Sequence, residues 1–154
     1  MGRKFEFVER MIREKDDEYK TCMKLPKRST KKSAGYDFFA VNDIVCKSHE
    51  ITLVPTGVKA KMEDDETLLL FNRSSNPKKK GLIILNGVGV IDADYYGNAD
   101  NDGEIAGLFY NMRDEDVKIE AGDKIMQGIF VKYAITEDDK AEGERTGGFG
   151  STGK

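Results

Sequence analysis

The chain has 154 residues and a net charge of −3, enough length for one domain that buries roughly 68–70% of its unfolded surface. Charged residues make up 34% and apolar ones 38%, and no apolar run nears the roughly 18 residues of a membrane helix. This excludes a helical membrane span, and the mild acidity argues against general binding to nucleic acid or anionic membranes, which takes a strong basic excess.

The start, Met1-Gly2-Arg3-Lys4-Phe5, has basic residues but no following apolar stretch, so no secretory signal is visible and a cytoplasmic location is the default expectation. From Phe5 to Lys20, the residues Phe5, Val8, Ile12 and Tyr19 line one helical face, while Phe5 and Phe7 alternate as in a strand. A helix from about Val8 onward is the favoured reading. Lys24, Lys27, Arg28, Lys31 and Lys32 then form a basic block that reads as a solvated surface, as do Lys78-Lys79-Lys80 and the acidic runs 63–66 and 137–139. Cys22 and Cys46 are too few and too isolated for a disulfide framework or a zinc site.

Candidate strands follow at Glu50–Val54, Thr67–Phe71, Leu82–Leu85, Ile105–Tyr110 and Lys124–Tyr133. With sixteen glycines, three prolines and no helical segment between these runs, the pattern favours an all-β sandwich or jelly roll over a parallel α/β sheet. The end, Glu142 to Lys154, is glycine-rich and nearly devoid of apolar residues, so it reads as a mobile arm. The chain thus divides into an N-terminal extension of unknown role (1–24), a β-domain (25–141) and a flexible arm (142–154).

Several patterns match a motif without its context. Gly148-Phe149-Gly150-Ser151-Thr152-Gly153 fits the dinucleotide-binding glycine pattern but lacks the following helix that would meet the phosphates. Asn98 to Gly103 imitates an EF-hand loop whose twelfth position, normally glutamate, is Phe109. Asn72-Arg73-Ser74 is a glycosylation sequon without a secretory signal. His49 is the sole histidine, which leaves histidine-based dyads and metal clusters little to work with.

The stretch from Leu85 to Gly97, LNGVGVIDADYYG, reads as an active-site hairpin. Val88, Val90 and Ile91 supply strand character, and Gly87, Gly89 and Gly97 allow tight turns and close backbone approach to a ligand. Asp92, Asp94 and Tyr95 remain as chemistry without an evident structural role.

Four further segments accompany it in order: Ser33-Ala34-Gly35-Tyr36-Asp37-Phe38-Phe39-Ala40, Asn72-Arg73-Ser74-Ser75, Gly122-Asp123-Lys124-Ile125-Met126-Gln127 and Arg145-Thr146-Gly147-Gly148-Phe149-Gly150-Ser151-Thr152-Gly153. With the hairpin third, they resemble the five ordered motifs of the trimeric dUTPase family, over about residues 25 to 154. The resemblance implies a jelly-roll β-subunit, a homotrimer with three shared sites, and Mg²⁺-assisted hydrolysis of dUTP to dUMP and pyrophosphate, which keeps uracil out of DNA and supplies dUMP for dTMP synthesis. A triphosphate site wants a guanidinium, hydroxyls, free backbone N–H groups and a metal.

By the resemblance, Arg73 and Ser74 bind around the α and β phosphates with Ser75 beside them, Gln127 holds the phosphates or the attacking water, and Arg145 grips the γ phosphate. Asp37 sits in the metal's outer shell, ligating through water. Asp92 deprotonates the water that attacks the α phosphorus. Tyr95 lies under the deoxyribose, and Asn86 with the hairpin backbone at Gly89 reads the uracil edge. Phe149 stacks on uracil, while Gly150, Ser151 and Thr152 wrap the phosphates as a lid. Asp94 could equally orient the turn through backbone hydrogen bonds.

The chain departs from the family pattern at Lys124, where arginine is usual, and at Asn76-Pro77-Lys78, where an apolar residue usually follows Ser75. Ala99 to Glu104 looks like a short insertion, of a kind seen in some phage-type members. Such an origin would place the protein in a host cytoplasm. Two other readings compete: a dCTP deaminase of the same fold, and a regulatory protein-binding role in which the 99–104 insertion docks a partner.

Overall fold

Among the described residues, 2–13 and 22–148, the computed structural model shows an almost all-β chain. In order its elements are β1 (Lys4–Phe7), α1 (Glu9–Arg13), β2 (Lys27–Arg28), β3 (Tyr36–Phe39), β4 (Ile44–Cys46), β5 (Ile51–Pro55), β6 (Val58–Lys61) and β7 (Glu66–Asn72). A π-helical turn (Asn76–Lys80), β8 (Leu82–Ile84), β9 (Gly89–Asp92), a 3₁₀ turn (Ala93–Tyr95), β10 (Ala106–Asn111), β11 (Val117–Ile119) and β12 (Lys124–Lys132) follow. All pairings are antiparallel: β2-β3-β12-β7-β9, β5-β10-β8, β1-β6 and β4-β11. This is a jelly-roll-like β-subunit, the fold class expected from the sequence.

The five predicted strands appear as β5, β7, β8, β10 and β12, within one or two residues at their ends. Their residues explain why. In β10, Gly107, Phe109 and Asn111 face inward in alternation, as a pleated strand with one buried face requires. In β7, Leu68 and Leu70 are buried and the strand lies between β12 and β9, so its apolar run is nearly continuous. The core gathers Phe38, Leu68, Leu82, Phe109, Ile125 and Met126. Asn111, fully buried there, donates to the carbonyls of Cys46 (3.0 Å) and Glu115 (2.9 Å) and accepts from the Arg113 N–H (2.9 Å), so its burial leaves no polar atom unsatisfied.

One expectation changes. The stretch 85–97 is not a hairpin of paired strands: β8 pairs with β10 and β9 with β7, so Leu85–Val88 is a corner between two sheets. At the N-terminus the alternation of Phe5 and Phe7 gives strand β1 and a helix follows over Glu9–Arg13, in keeping with a helix from about Val8 onward; the rest of the expected helix lies outside the described residues. Burial decides the strand. Phe5 stacks edge-on against Tyr36 and Phe38 at 5.3 and 5.4 Å and tilts against Phe130 at 5.4 Å, contacts that β-register with β6 makes available.

The N-terminal elements also hold the loop after Tyr95. Glu6 accepts from the Tyr96 hydroxyl, a bond that pushes the phenol up to about 12 and keeps it neutral. Asp102 accepts from Lys59 Nζ (2.8 Å) and from the backbone N–H of Glu9 (2.9 Å), and Glu104 takes a two-armed grip from Arg10. Burial pushes the Asp102 carboxyl up, yet the Lys59 and Glu9 hydrogen bonds outweigh it and hold the group below the usual range. The 99–104 loop therefore turns these carboxylates inward onto its own chain.

Gly103 makes that turn possible. Its φ is +79°, and an added Cβ would stand 2.5 Å from the carbonyl oxygen of Tyr95 and 3.0 Å from the backbone nitrogen of Gly97. Gly103→Ala will lower stability by about 1–3 kcal/mol from backbone strain alone, with the clash added. Thermal unfolding will show this as a fall of several degrees in Tm; an unchanged Tm would contradict the packing of this loop on residues 95–97.

Candidate active site

The expected site residues fall into two groups, set by strand register. On one edge of β7, Gly89 pairs with Leu70, and its missing side chain lets β9 lie close: a Cβ there would be 3.2 Å from Leu70 Cβ. β9 then runs out to Asp92, whose partner in the ladder is Thr67, and the 3₁₀ turn carries Asp94 and Tyr95. A cavity of about 240 Å³ opens here, lined by Asn86, Gly89, Asp92, Tyr95, Glu104 and Arg145 among others. That is below the roughly 300–1,000 Å³ of a pocket for a whole drug-sized ligand, and suits part of a nucleotide.

The Tyr95 ring forms a fixed wall of this cavity. It is only 6% exposed; its hydroxyl donates to the Glu104 carbonyl (2.8 Å) and accepts from Asn101 Nδ2 (2.7 Å). Burial pushes the phenol up, so it stays neutral. Asp92 and Asp94 are half-exposed, and both are engaged by one group: the Arg145 guanidinium contacts Asp92 Oδ2 and donates from Nε to Asp94 Oδ1 at 2.8 Å. The guanidinium also lies 5.9 Å from the Tyr95 ring centroid. Asp94, left open between two roles by the sequence, is a partner of Arg145.

The second group lies at the other end of β7. Gln127 of β12 stands opposite Asp37 of β3 on one side and Phe71 of β7 on the other, which brings the first, second and fourth motifs together. Gly35 packs against Gln127, and Gln127 Nε2 donates to the Asn72 carbonyl (3.3 Å). Asp37, 8% exposed, accepts from Lys124 Nζ (2.9 Å) and Ser29 Oγ (2.7 Å), with Arg73 Nε at 3.5 Å. Burial raises its pKa, but Ser29 and Lys124 lower it further, so the carboxyl rests below its ordinary range. Lys124 thus has an ion-pair partner although it lacks arginine's fork.

A cavity of about 310 Å³ beside this cluster is lined by Arg73, Ser75, Lys79, Lys80, Asp123 and Lys124 among others. Lys80 pairs with Asp123 at 3.0 Å, so part of the basic run read as solvated surface belongs to this wall. Ser74 is exposed at the start of the π-helical turn. Phe149, Gly150, Ser151 and Thr152 lie outside the described residues.

Asp92 stands opposite Thr67, whereas Arg73 follows the far end of β7. Six residues of extended strand separate the two positions by roughly 20 Å. One chain therefore does not bring Asp92 together with Ser74 and Gln127. Among the described residues, no three His, Cys, Asp or Glu side chains gather to hold a metal. Asp37 is already paired with Lys124 and lies near Arg73, so a cation carried on phosphates would meet it through water rather than in a protein cage.

Sequence reasoning did not find Asn98, Asn101 and Glu104, which buttress Tyr95. The acidic, asparagine-rich spacing of 98–104 was visible, but its inward direction depends on Lys59 and Arg10, distant in sequence.

The dUTPase family profile matches residues 21–153. The deoxyuridine 5'-triphosphate nucleotidohydrolase of Lactococcus lactis subsp. lactis (strain IL1403) is 50% identical over 131 residues, covering 84% of this chain and 87% of that protein. The crystal structure of dUTPase from Streptococcus mutans is similar with a TM-score of 0.78 at 41% identity, covering 89% and 99% of the two chains. The dUTPase from phage phi11 of S. aureus, at 20% identity and a TM-score of 0.71 over 93% and 97%, shares the fold. With the register, the two cavities and these likenesses together, the chain belongs to the dUTPase family of enzymes.

Proposed function

We propose that this chain hydrolyses dUTP to dUMP and pyrophosphate as a homotrimer whose sites are shared between subunits. The observation that carries the reading is the separation of the Asp92–Tyr95 cavity from the Arg73–Asp37–Gln127 cluster along β7. Sites shared between copies of the chain would bring Asp92 and that cluster onto one triphosphate. Such an enzyme would act where deoxynucleoside triphosphates are used, in the cytoplasm.

In this reading uracil and deoxyribose enter the 240 Å³ cavity. The Tyr95 ring, fixed by its hydroxyl, occupies the space beneath the sugar, and Asn86 and the Gly89 backbone face the base edge. The neighbouring subunit's copies of Arg73, Ser74, Ser75 and Gln127 hold the phosphates. Asp92 accepts a proton from a water as its oxygen attacks the α phosphorus; the bond to the β-phosphate oxygen breaks, and pyrophosphate leaves with that electron pair. Arg145 exchanges its two carboxylates for the γ phosphate, which frees Asp92 to act as base. Phe149 to Thr152 complete the cover over base and phosphates. Mg²⁺, held on the triphosphate and through water by Asp37, supplies charge neutralisation of the phosphates when bound.

Pyrophosphate release from dUTP, dCTP, dTTP and UTP, with and without Mg²⁺, tests the assignment. Only dUTP should turn over rapidly, and only with the metal; ammonia released from dCTP would instead identify a deaminase. Asp92→Asn should keep the assembly and its Tm while cutting turnover by about 10²–10⁴-fold, the usual worth of a general base. A folded mutant with near-normal turnover would remove Asp92 from its role. Truncation after Glu144 should abolish most activity with little change in Tm, because Arg145 and its successors meet exposed carboxylates, the edge of the Tyr95 ring and the side-chain amides of Asn98 and Asn101 rather than the apolar core. A large drop in Tm would show the arm to be structural.

A further inference from the structure

Asn98 closes the turn that follows Tyr95 and is only 8% exposed. Its main chain is fully used: its N–H donates to the Tyr95 carbonyl (3.2 Å), and its carbonyl accepts from the Asp102 N–H (2.7 Å). Its side-chain Oδ1 accepts from the Asp100 N–H at 2.9 Å, which fixes which way the amide points. The other end of that amide is different. Nδ2 is buried yet has no hydrogen-bond partner among the described residues, and a buried donor left unpaired carries the full cost of its lost hydration.

The segment beside that donor is the arm. A Cβ built on Gly148 would stand 3.3 Å from Tyr95 Cε2, 3.6 Å from Asn98 Nδ2 and 3.7 Å from Asn101 Nδ2. The Gly148 backbone therefore passes over a shelf made of one ring edge and two carboxamides, three residues after the guanidinium that grips Asp92 and Asp94. The shelf is rigid. Asn101 is tied to the Tyr95 hydroxyl, Asp102 to Lys59 and the start of α1, and Glu104 to Arg10 and the Gly57 N–H (2.9 Å).

We propose that the 98–104 loop is the seat of the C-terminal arm, with Asn98 as the positioning residue whose Nδ2 donates to a main-chain carbonyl at Gly147–Gly148 when the arm closes on nucleotide. The inference rests on the reading of the arm as part of the hydrolytic site, and names what holds it there. The N-terminal extension gains a role as well, since β1 and α1 brace the loop that seats the arm. An arm reaching in from a second copy of the chain would meet the same ring edge and amides.

Trypsin provides a direct readout, because cleavage after Arg145 requires the arm to lift, whereas Lys140 is exposed and serves as an internal control. Asn98→Asp keeps the acceptor for the Asp100 N–H and replaces the donor with a charged carboxylate oxygen that repels a main-chain carbonyl. Gly148→Val approaches the seat from the arm side and leaves the body of the domain untouched. Each variant, alone and with the non-hydrolysable α,β-imido analogue of dUTP, should show cleavage after Arg145 at least tenfold faster than the parent, relative to Lys140, with unchanged Tm. In Asn98→Asp, kcat/KM for dUTP should fall by a similar factor. Cleavage at the parental rate in both variants overturns the seat. A fall in kcat/KM with parental cleavage also overturns it, since the donor's partner would then be the nucleotide. The cleavage readout does not depend on turnover, so a chain inert toward dUTP would defeat the proposed activity while the protease result still decides the seat.

Discussion

Strand β7 is the constraint on which the other features of the site depend. Its leucines fill the core, its one edge binds β12 and its other edge binds β9. Because a one-residue slip in an antiparallel ladder turns every side chain to the opposite face, the burial of Leu68 and Leu70 fixes both registers at once. Those registers place Gln127 beside Phe71 and Asp92 beside Thr67. The same packing that stabilises the sheet thus sets the distance between the two groups of functional residues.

A second, polar layer locks the cavity end. It runs from Arg10 through Glu104 to the Tyr95 hydroxyl, and from Glu9 and Lys59 through Asp102 to the loop. Apart from the exposed Glu9, each member is partly buried and answered by a specific partner, which is the condition under which a buried network specifies one arrangement. The ring of Tyr95 is consequently held at both its face and its hydroxyl. A cavity wall held in this way keeps its shape when a ligand enters.

Much of this was readable in the sequence, and the limit of reading has a physical origin. The long strands declared themselves because their apolar residues follow the two-residue period of a half-buried face. Strands of two to four residues, such as Val58–Lys61 with its alternating lysines, carry too little signal, and their existence depends on partners far along the chain. The motif residues Asp37, Arg73, Asp92, Tyr95, Gln127 and Arg145 were legible as chemistry. Their division between two ends of one strand was not, since it is a property of pairing. The corner at Leu85–Val88 shows the same thing: glycine and asparagine signal a turn, but not which sheet receives the chain afterwards. Asn98 and Asn101 carried no motif and acquire meaning only from what the fold sets beside them.

The double grip of Arg145 has a consequence for encounter with ligand. Asp92 and Asp94 alone would present two negative charges beside the cavity, and their field would slow the approach of an anion. The guanidinium between them cancels one of the two charges and spreads over both carboxylates. The protein thus carries an internal counterion for this acidic pair, and any cation or donor that seeks Asp92 or Asp94 must compete with it. Ionic strength then acts on an approaching anion in two opposed ways, by screening the lysines that would attract it and by loosening the arginine that masks the carboxylates.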